Sequence, residues 1–217
     1  MSPDPAPRAA DPADRVVARP APATARGRRT RAAIVDAAAG LMQRRGIAAT
    51  SLDDVLSASH TGKSQLYHYF GDKQDLVLAV IDRQLERVLA AQPALAPGGD
   101  DDLCAWARDL LEMHQGDGGP FGCPLGVLSG QVDDDPVLRQ RQNEAFGVWQ
   151  DRIADLLRRA QNGRRLDPDA DPDELALAVL ATLQGGLMLA RLRRDPRALE
   201  VALATATEHV STRRVPS

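Results

Sequence analysis

Two short helical segments with a tight turn between them constrain this fold more than any other feature of the sequence. The stretch TSLDDVL opens the first segment, because Ser51 can cap a helix and Asp54 lies three residues further on. Only about seven residues fit before the break at SASHTG. The second segment runs from about Gly62 to Phe70, and Leu66 and Phe70 share one face at a spacing of four.

Longer helical patterns lie on both sides of this pair. From Thr30 onward, apolar residues recur at helical spacing until Gly46 ends the pattern. The sequence GDK opens the next long helix, with Asp72 as its N-cap and Asp75 in its first turn. Two short helices braced in this way predict a helix-turn-helix arrangement, in which the second short helix enters the major groove of DNA.

The remainder of the chain predicts further helices after a linker at residues 93–99. Five are expected: from about Asp101 to Gln115, a short one beginning near Pro124, from about Asp135 to Asn162, from near Pro172 to about Arg194, and one that begins after Asp195, with Pro196 in its first turn, and ends near Val210. We therefore predict an all-α fold of about nine helices. The predicted organisation is a disordered tail over residues 1–25, a helix-turn-helix domain over 26–73 and a helical domain over 74–217, with the fourth helix, from about residue 73, linking the two.

Composition supports helices and a soluble protein. Aromatic residues make up only 3% of the chain, while Ala and Leu are abundant. The two cysteines do not form a disulfide framework, and no apolar run follows the N-terminus. The longest uncharged run, Leu175 to Ala190, is shorter than the roughly 20 residues that a bilayer needs. We expect a cytoplasmic protein without membrane, metal or cofactor.

Charge is distributed unevenly along the chain. Residues 24–73 hold eight Lys or Arg against four Asp or Glu, a net charge of +4, whereas residues 74–217 carry −7. A basic segment beside an acidic body indicates a polyanionic partner for the first part only. Chance clustering remains the alternative on charge alone.

The stretch GKSQLYHYFGDK holds both lysines and both tyrosines of the chain. Lys63, Ser64 and Gln65 lie in the first turn of the predicted helix, where Gln can bond adenine and Lys can reach guanine. The hydroxyl and imidazole groups that follow can bond phosphate oxygens. Lys73 and the pair Thr50-Ser51 lie at helix openings, which favour anions. The basic stretch RGRRTR, which includes Arg31, can also touch the phosphate backbone, or it can be a solvated tail.

From Thr30 to about Ile81 the sequence resembles the DNA-binding domain of the TetR family of transcriptional regulators. The resemblance rests on RRGIAATS, SLDDVLSA and GKSQLYHYFGDKQDLVLAVI in this order and spacing. It implies DNA contacts at Thr50, Lys63, Ser64, Gln65, Tyr67, His68, Tyr69 and Lys73, to which we add Arg31 and Ser51. The chain departs from the family at His60, where the turn usually has a Gly, so the angle of the following helix is in question. His tolerates a left-handed conformation better than a branched residue does.

The same resemblance implies that the C-terminal helices bind a small molecule and form a homodimer through the last two helices. The run from Leu175 to Ala190 is apolar on all sides, so one face can pack inside and the other against a second copy. Gly185 and Gly186 would allow helices to approach closely. We expect a ligand pocket formed by Trp106, Leu110, Met113, His114, Cys123, Phe146, Trp149, Leu183, Gln184 and Leu187. Ordinary core packing is the alternative for each of them.

We therefore expect a ligand-responsive repressor released from a palindromic operator, and not an enzyme. One alternative is a redox or electrophile sensor, because Cys123 would be the N-cap of a helix beginning at Pro124, and a helix N-terminus lowers the pKa of a thiol. An enzyme using Cys123 with His114 would lack a group to orient the histidine. A third alternative is an adaptor that kept the fold but does not bind DNA.

Overall fold

The computed structural model describes residues 22–115 and 122–213, and within them the chain forms helices and no strand, which confirms the all-α class. The α-helices are α1 Ala25–Arg45, α2 Leu52–Ser59, α3 Lys63–Tyr69, α4 Lys73–Ala90, α5 Leu103–Gln115, α6 Gly126–Ser129, α7 Pro136–Asn162, α8 Pro172–Arg193 and α9 Arg197–Ser211. The linker at residues 93–99 contains a 3-10 turn, Pro93–Leu95, which buries Leu95.

Helix α1 begins earlier than the apolar periodicity predicts. Its N-cap is Thr24, whose hydroxyl accepts a hydrogen bond from Gly27 N at 3.0 Å. The stretch RGRRTR is therefore the start of this helix, and the expectation of a basic tail there is wrong. The predicted disorder of residues 1–21 lies outside the described residues.

Helix α2 is fixed at both ends by side chain and backbone geometry. Ser51 and Asp54 form the expected capping box, in which Asp54 N donates to Ser51 Oγ at 3.1 Å and Ser51 N donates to Asp54 Oδ2 at 3.0 Å. The helix ends at His60 in the left-handed region, with φ 53° and ψ 35°. The turn into α3 thus has the backbone conformation that a Gly would adopt most easily.

Helix α4 connects the N-terminal helices to the rest of the chain. Arg83 and Arg87 both reach Asp36 of α1, at 2.8 Å and 2.9 Å. On the opposite side, Arg141 of α7 pairs with Asp82 at 2.6 Å. These ion pairs are partly exposed, so they fix orientation more than they add stability.

Helices α7, α8 and α9 pack together as the C-terminal core. Gly186 of α8 faces α9 so closely that an added Cβ would lie 2.6 Å from Ala202 Cβ. This close approach is within the chain, whereas Gly185 meets nothing within 4 Å in the described structure. A close approach is therefore confirmed for Gly186 within the chain, whereas for Gly185 it stays a prediction. By length and composition alone α8 could also cross a membrane, but core helices pass the same test, and α8 packs against α7 and α9.

Helix α6 is shorter than expected and begins later. It covers Gly126–Ser129 and its N-cap is Leu125 in helical conformation, so Pro124 is not its first residue and Cys123 is not its N-cap. Pro124 and Leu125 form a turn before the helix, which the sequence pattern of a proline at the first helical position did not distinguish from the helix itself.

Candidate nucleic-acid interface and ligand cavities

Helix α3 has one buried face and one exposed face. Leu66 is fully buried and Phe70, the residue that ends the helix, is 2% exposed, so both anchor it to the core. Lys63, Ser64 and Gln65 form the first turn and are exposed. This arrangement presents polar and basic side chains outward from a helix whose position is set by apolar contacts.

Gln65 is exposed, and its side chain also stabilises the start of α3. Its Oε1 accepts a hydrogen bond from Gly62 N at 3.2 Å, which closes the first turn of α3. A bidentate contact with adenine needs both the oxygen and the nitrogen of the amide. Such a contact would therefore require the side chain to leave Gly62.

The ring residues of α3 are not equivalent. Tyr67 is 43% exposed and His68 is exposed. Tyr69 is half-buried, and its hydroxyl would lie 3.2 Å from a Cβ added at Gly27, so this side chain packs beside the start of α1. The rings of His68 and Tyr69 meet edge to face at 4.9 Å.

The predicted contacts at helix openings differ in accessibility. Thr50 is only 1% exposed, and its hydroxyl donates to the carbonyl of Gly46 at 2.8 Å. The structure thus places Thr50 inside the turn, away from the exposed face that the prediction assumed. Ser51 is exposed but is used as a cap, and Lys73 begins α4 with its Nζ 3.4 Å from the carbonyl of Ala48.

The first turns of α1 add basic residues that the sequence reasoning assigned to a tail. Arg26 and Arg29 are exposed, and neither forms an ion pair among the described residues. Cations at a helix N-terminus oppose the helix dipole, so this placement is unfavourable without an anion nearby. Arg31 lies over the ring of Phe70, 5.2 Å from its centroid, at the junction of α1 and α3.

Most of the predicted pocket residues line two neighbouring cavities in the C-terminal helices. The smaller cavity has a volume of about 90 Å³, and among its lining residues are Leu110, Met113, His114, Cys123, Trp149 and Leu187. The larger cavity has a volume of about 260 Å³, and of the predicted residues Cys123, Phe146, Gln184 and Leu187 line it. Cys123 and Leu187 therefore lie between the two spaces.

Two predicted residues line neither cavity. Leu183 is fully buried in the core. Trp106 is 2% exposed, and its indole N–H donates to Gln92 Oε1 at 3.0 Å. Both have the core-packing role that was the alternative. Phe121, the remaining aromatic residue of this half, lies outside the described residues.

The larger cavity also contains residues that the sequence reasoning missed. Met188 and Arg191 of α8 line it together with Gln184. Spacings of four and three along one helix place these three side chains on one face, and this periodicity was available in the sequence. Ser129 of α6 completes the polar lining.

Two buried ring side chains lie at the smaller cavity. His114 is 6% exposed and its Nδ1 is 2.8 Å from the carbonyl of Leu110, so the Nδ1–H donates to that oxygen. Trp149 is 2% exposed and its indole N–H has no hydrogen-bond partner among the described residues.

The thiol of Cys123 is buried rather than activated. It is 5% exposed, and burial raises its pKa above the ordinary value. Hydrogen bonds from the backbone, including Gly126 N at 3.2 Å from Sγ, oppose this rise only in part. The expectation of a lowered pKa at a helix N-terminus is therefore wrong. The described residues contain no cluster of His, Cys, Asp and Glu that could hold a metal ion.

Comparisons with known proteins cover nearly all of the helical chain. Residues 34–80 match the family described as "Bacterial regulatory proteins, tetR family", and residues 99–206 match "Tetracyclin repressor-like, C-terminal domain". The chain is 32% identical over 181 residues to transcriptional regulator AcuR of Cereibacter sphaeroides, which covers 78% of this chain and 80% of that protein. It is 26% identical to the HTH-type transcriptional repressor NemR of Escherichia coli K12, over 79% of this chain and 89% of NemR.

Solved structures show the same fold. A TetR transcriptional regulator from Chloroflexus aurantiacus superposes with a TM-score of 0.74 at 28% identity and covers 88% of this chain and 98% of its own. The regulatory protein TetR from Rhodobacter sphaeroides gives a TM-score of 0.71 at 26% identity, over 83% of this chain and 98% of its own.

Proposed function

The chain belongs to the TetR family of DNA-binding transcriptional regulators, and from this premise we propose that it is a repressor released from a palindromic operator by a small molecule. The observation that carries the proposal is the two-faced helix α3, whose apolar side is anchored in the core while Lys63, Ser64 and Gln65 face outward. In this proposal α3 reads base edges, and neighbouring hydroxyl and basic groups hold the phosphates.

The proposed phosphate contacts surround α3. Tyr67, His68 and Tyr69 extend from the helix itself, and Lys73 from the helix that follows. Arg26 and Arg29 extend the basic surface at the start of α1, where a phosphate would offset their unfavourable position on the helix dipole. Ser51 can contribute through the N-terminus of α2, whereas the buried hydroxyl of Thr50 is the weakest of the predicted contacts.

A homodimer through α8 and α9 is the assembly we propose. On α8, Leu177, Met188 and Leu192 are 55%, 64% and 79% exposed and share one stripe of the helix. Val201 on α9 is 51% exposed. Pairing these helices with a second copy would bury apolar surface in a four-helix interface and present two copies of α3 to two half-sites.

A hydrogen bond between the two halves links the region of the larger cavity to the turn before α2. Gln131, just after α6, accepts from Ile47 N in the α1–α2 turn at 2.6 Å and donates to the carbonyl of Val127 at 2.7 Å. Val127 lines the larger cavity. A ligand that binds better to the state with misaligned recognition helices would shift the population toward that state.

DNA titrations of promoter fragments next to the gene test the DNA-binding part. We expect sequence-dependent binding whose affinity falls steeply with salt. The Lys73→Ala variant should show a salt slope that is shallower by roughly one, because it neutralises one phosphate fewer. Gln65→Ala should weaken specific binding more than non-specific binding. Arg193→Ala, an exposed arginine at the end of α8, is the matched control. If the protein binds none of the fragments, the proposal is wrong and the adaptor alternative is favoured.

Sedimentation tests the assembly. Leu177→Glu and Leu192→Glu should each convert a dimer to a monomer, because a carboxylate would be buried without a partner. Val148→Glu is the control, since Val148 is an exposed apolar residue of α7 outside the proposed interface. A dimer that survives both α8 substitutions would place the interface elsewhere.

The proposal involves a cytoplasmic regulator without catalysis. The electrophile-sensor alternative through Cys123 is disfavoured by the burial of the thiol, because the thiolate is the nucleophile and a raised pKa reduces its fraction at neutral pH.

A further inference from the structure

The larger cavity beside α8 has two hydrogen-bond donors in its lining, the amide of Gln184 and the guanidinium of Arg191. Gln184 Nε2 is buried and has no hydrogen-bond partner among the described residues. Its amide would bond the thiolate form of Cys123 and so opposes part of the rise in that pKa, but a neutral thiol is only a weak acceptor. A buried amide N–H without a good acceptor is costly, so a ligand that offers one gains affinity there.

Arg191 supplies a charge at the same cavity. It lies seven residues after Gln184 on the same face of α8, and it forms no ion pair or hydrogen bond among the described residues. Its aliphatic stem packs on the backbone at Gly122, where an added Cβ would lie 2.9 Å from Arg191 Cδ. This contact holds the stem at the mouth of the cavity although the residue as a whole is exposed, and the planar guanidinium at its end suits a carboxylate.

The charges of the residues that line the two cavities also favour a negatively charged ligand. Within the described part of the chain, no Asp or Glu lines either cavity, although residues 74–217 carry a net charge of −7. Arg87 at the smaller cavity is already paired with Asp36, which leaves Arg191 as the uncompensated cation of the described lining. The remaining lining is largely apolar, and includes Phe146 and Leu187.

We propose that the larger cavity binds a small organic carboxylate, with its anionic group at Arg191 and Gln184 and its apolar part against Phe146 and Leu187. The volume of about 260 Å³ holds roughly nine groups of the size of a water molecule, which is room for a short acid. The smaller cavity beyond Cys123 provides room for a longer apolar end, near the indole N–H of Trp149, which has no partner in the described part of the chain. This inference names the ligand class of the proposed regulator and rests on that proposal.

Binding to the full chain without DNA tests this inference separately from repression. Butyrate, hexanoate and benzoate would be titrated by calorimetry beside their neutral counterparts 1-butanol, 1-hexanol and benzyl alcohol. At least one acid should bind at least tenfold more tightly than its alcohol. Arg191→Ala and Gln184→Leu should each reduce that affinity by about tenfold or more, because each removes a charge-assisted hydrogen bond. Arg193→Ala should leave it unchanged, since Arg193 does not line the cavity.

The outcomes separate the two proposals. If no acid in the panel binds better than its alcohol, or if Arg191→Ala has no effect, the carboxylate inference is overturned while DNA binding can still be observed. If an acid binds through Arg191 but does not change DNA affinity, the carboxylate site stands and ligand-controlled repression fails. Thermal unfolding of each variant without ligand shows whether it is folded.

Discussion

His60 determines the orientation of α3, because the chain changes direction at this residue in the turn between α2 and α3. Its φ of 53° is in the left-handed region, which costs an ordinary residue about 1–2 kcal/mol. The sequence identified this position through the absence of the usual Gly, and the structure confirms that the backbone takes the conformation a Gly would take. Histidine is tolerated here because its Cβ is not branched.

Substitution at His60 should separate backbone strain from side-chain chemistry. His60→Val should lower the free energy of unfolding by more than about 1 kcal/mol, because a β-branched residue resists a positive φ. His60→Gly should stay within about 1 kcal/mol of the natural chain, since relief of strain is offset by greater freedom of the unfolded chain. Urea unfolding measures both. Arg194, also at φ 53° but at the end of α8, is the matched position, and Arg194→Gly should likewise stay within about 1 kcal/mol of the natural chain. A valine variant as stable as the natural chain would contradict the strain argument.

The buried thiol of Cys123 should titrate above the range of an exposed cysteine. In a Cys104→Ser background, the rate of alkylation by iodoacetamide should rise with a midpoint above about pH 8.5, the value of a free thiol. Because the folded pKa is raised, protonated Cys123 adds stability below the unfolded pKa, and this contribution is lost as the pH rises toward the folded pKa. The same titration in denaturant should return to the ordinary midpoint. A midpoint below about pH 8.5 for alkylation of the folded protein would contradict the raised pKa and favour the sensor hypothesis.

At the scale of helices, the ends that have a side-chain cap were predictable. Ser51, Asp72, Asp135 and Asp171 all accept backbone hydrogen bonds at the starts of α2, α4, α7 and α8. The start of α1 is the exception: Thr24 caps it, but its first turns are basic and exposed, so apolar periodicity did not reveal it. The extent of α6 was missed because a helix this short is set by its surroundings rather than by its own residues.

The contact between α8 and α9 gives a test of packing with an internal control. Gly186→Ala would place a Cβ 2.6 Å from Ala202 Cβ and should destabilise the chain by about 1–3 kcal/mol. Gly147→Ala in α7 meets nothing within 4 Å, so it should stabilise the chain by up to about 1 kcal/mol through helix propensity. Denaturation at one fixed protein concentration measures both, because subunit association also adds stability. Equal effects of the two substitutions would show that the α8–α9 contact is not tight.

At the scale of the whole molecule, the sequence indicated which residues surround the cavities but not how they divide between them. Helical periodicity gives the face of each residue, whereas the rotation of α5, α7 and α8 against one another decides which faces meet. Trp106 and Leu183 were for this reason assigned to a pocket although they lie in the core. Arg191 was overlooked because it is exposed, as charged residues near a helix end usually are, and only the fold shows its stem packed beside Gly122.

The connection between the two halves leads to the last prediction. Gln131→Ala removes the acceptor that holds Ile47 N at 2.6 Å, although residue 131 lies far along the chain from the DNA-binding helices. Removal of a hydrogen bond of about 1 kcal/mol corresponds to roughly fivefold faster amide exchange at Ile47. Because Ile47 lies in the turn before α2, promoter affinity should also change several-fold. Hydrogen-exchange mass spectrometry and DNA titration measure these effects, and Gln140→Ala, an exposed glutamine of α7 paired with Glu144, should cause neither. Faster exchange at Ile47 with unchanged promoter affinity would mean that this contact joins the two halves without carrying a signal between them, and the coupling would then have to pass through the ion pairs of α4.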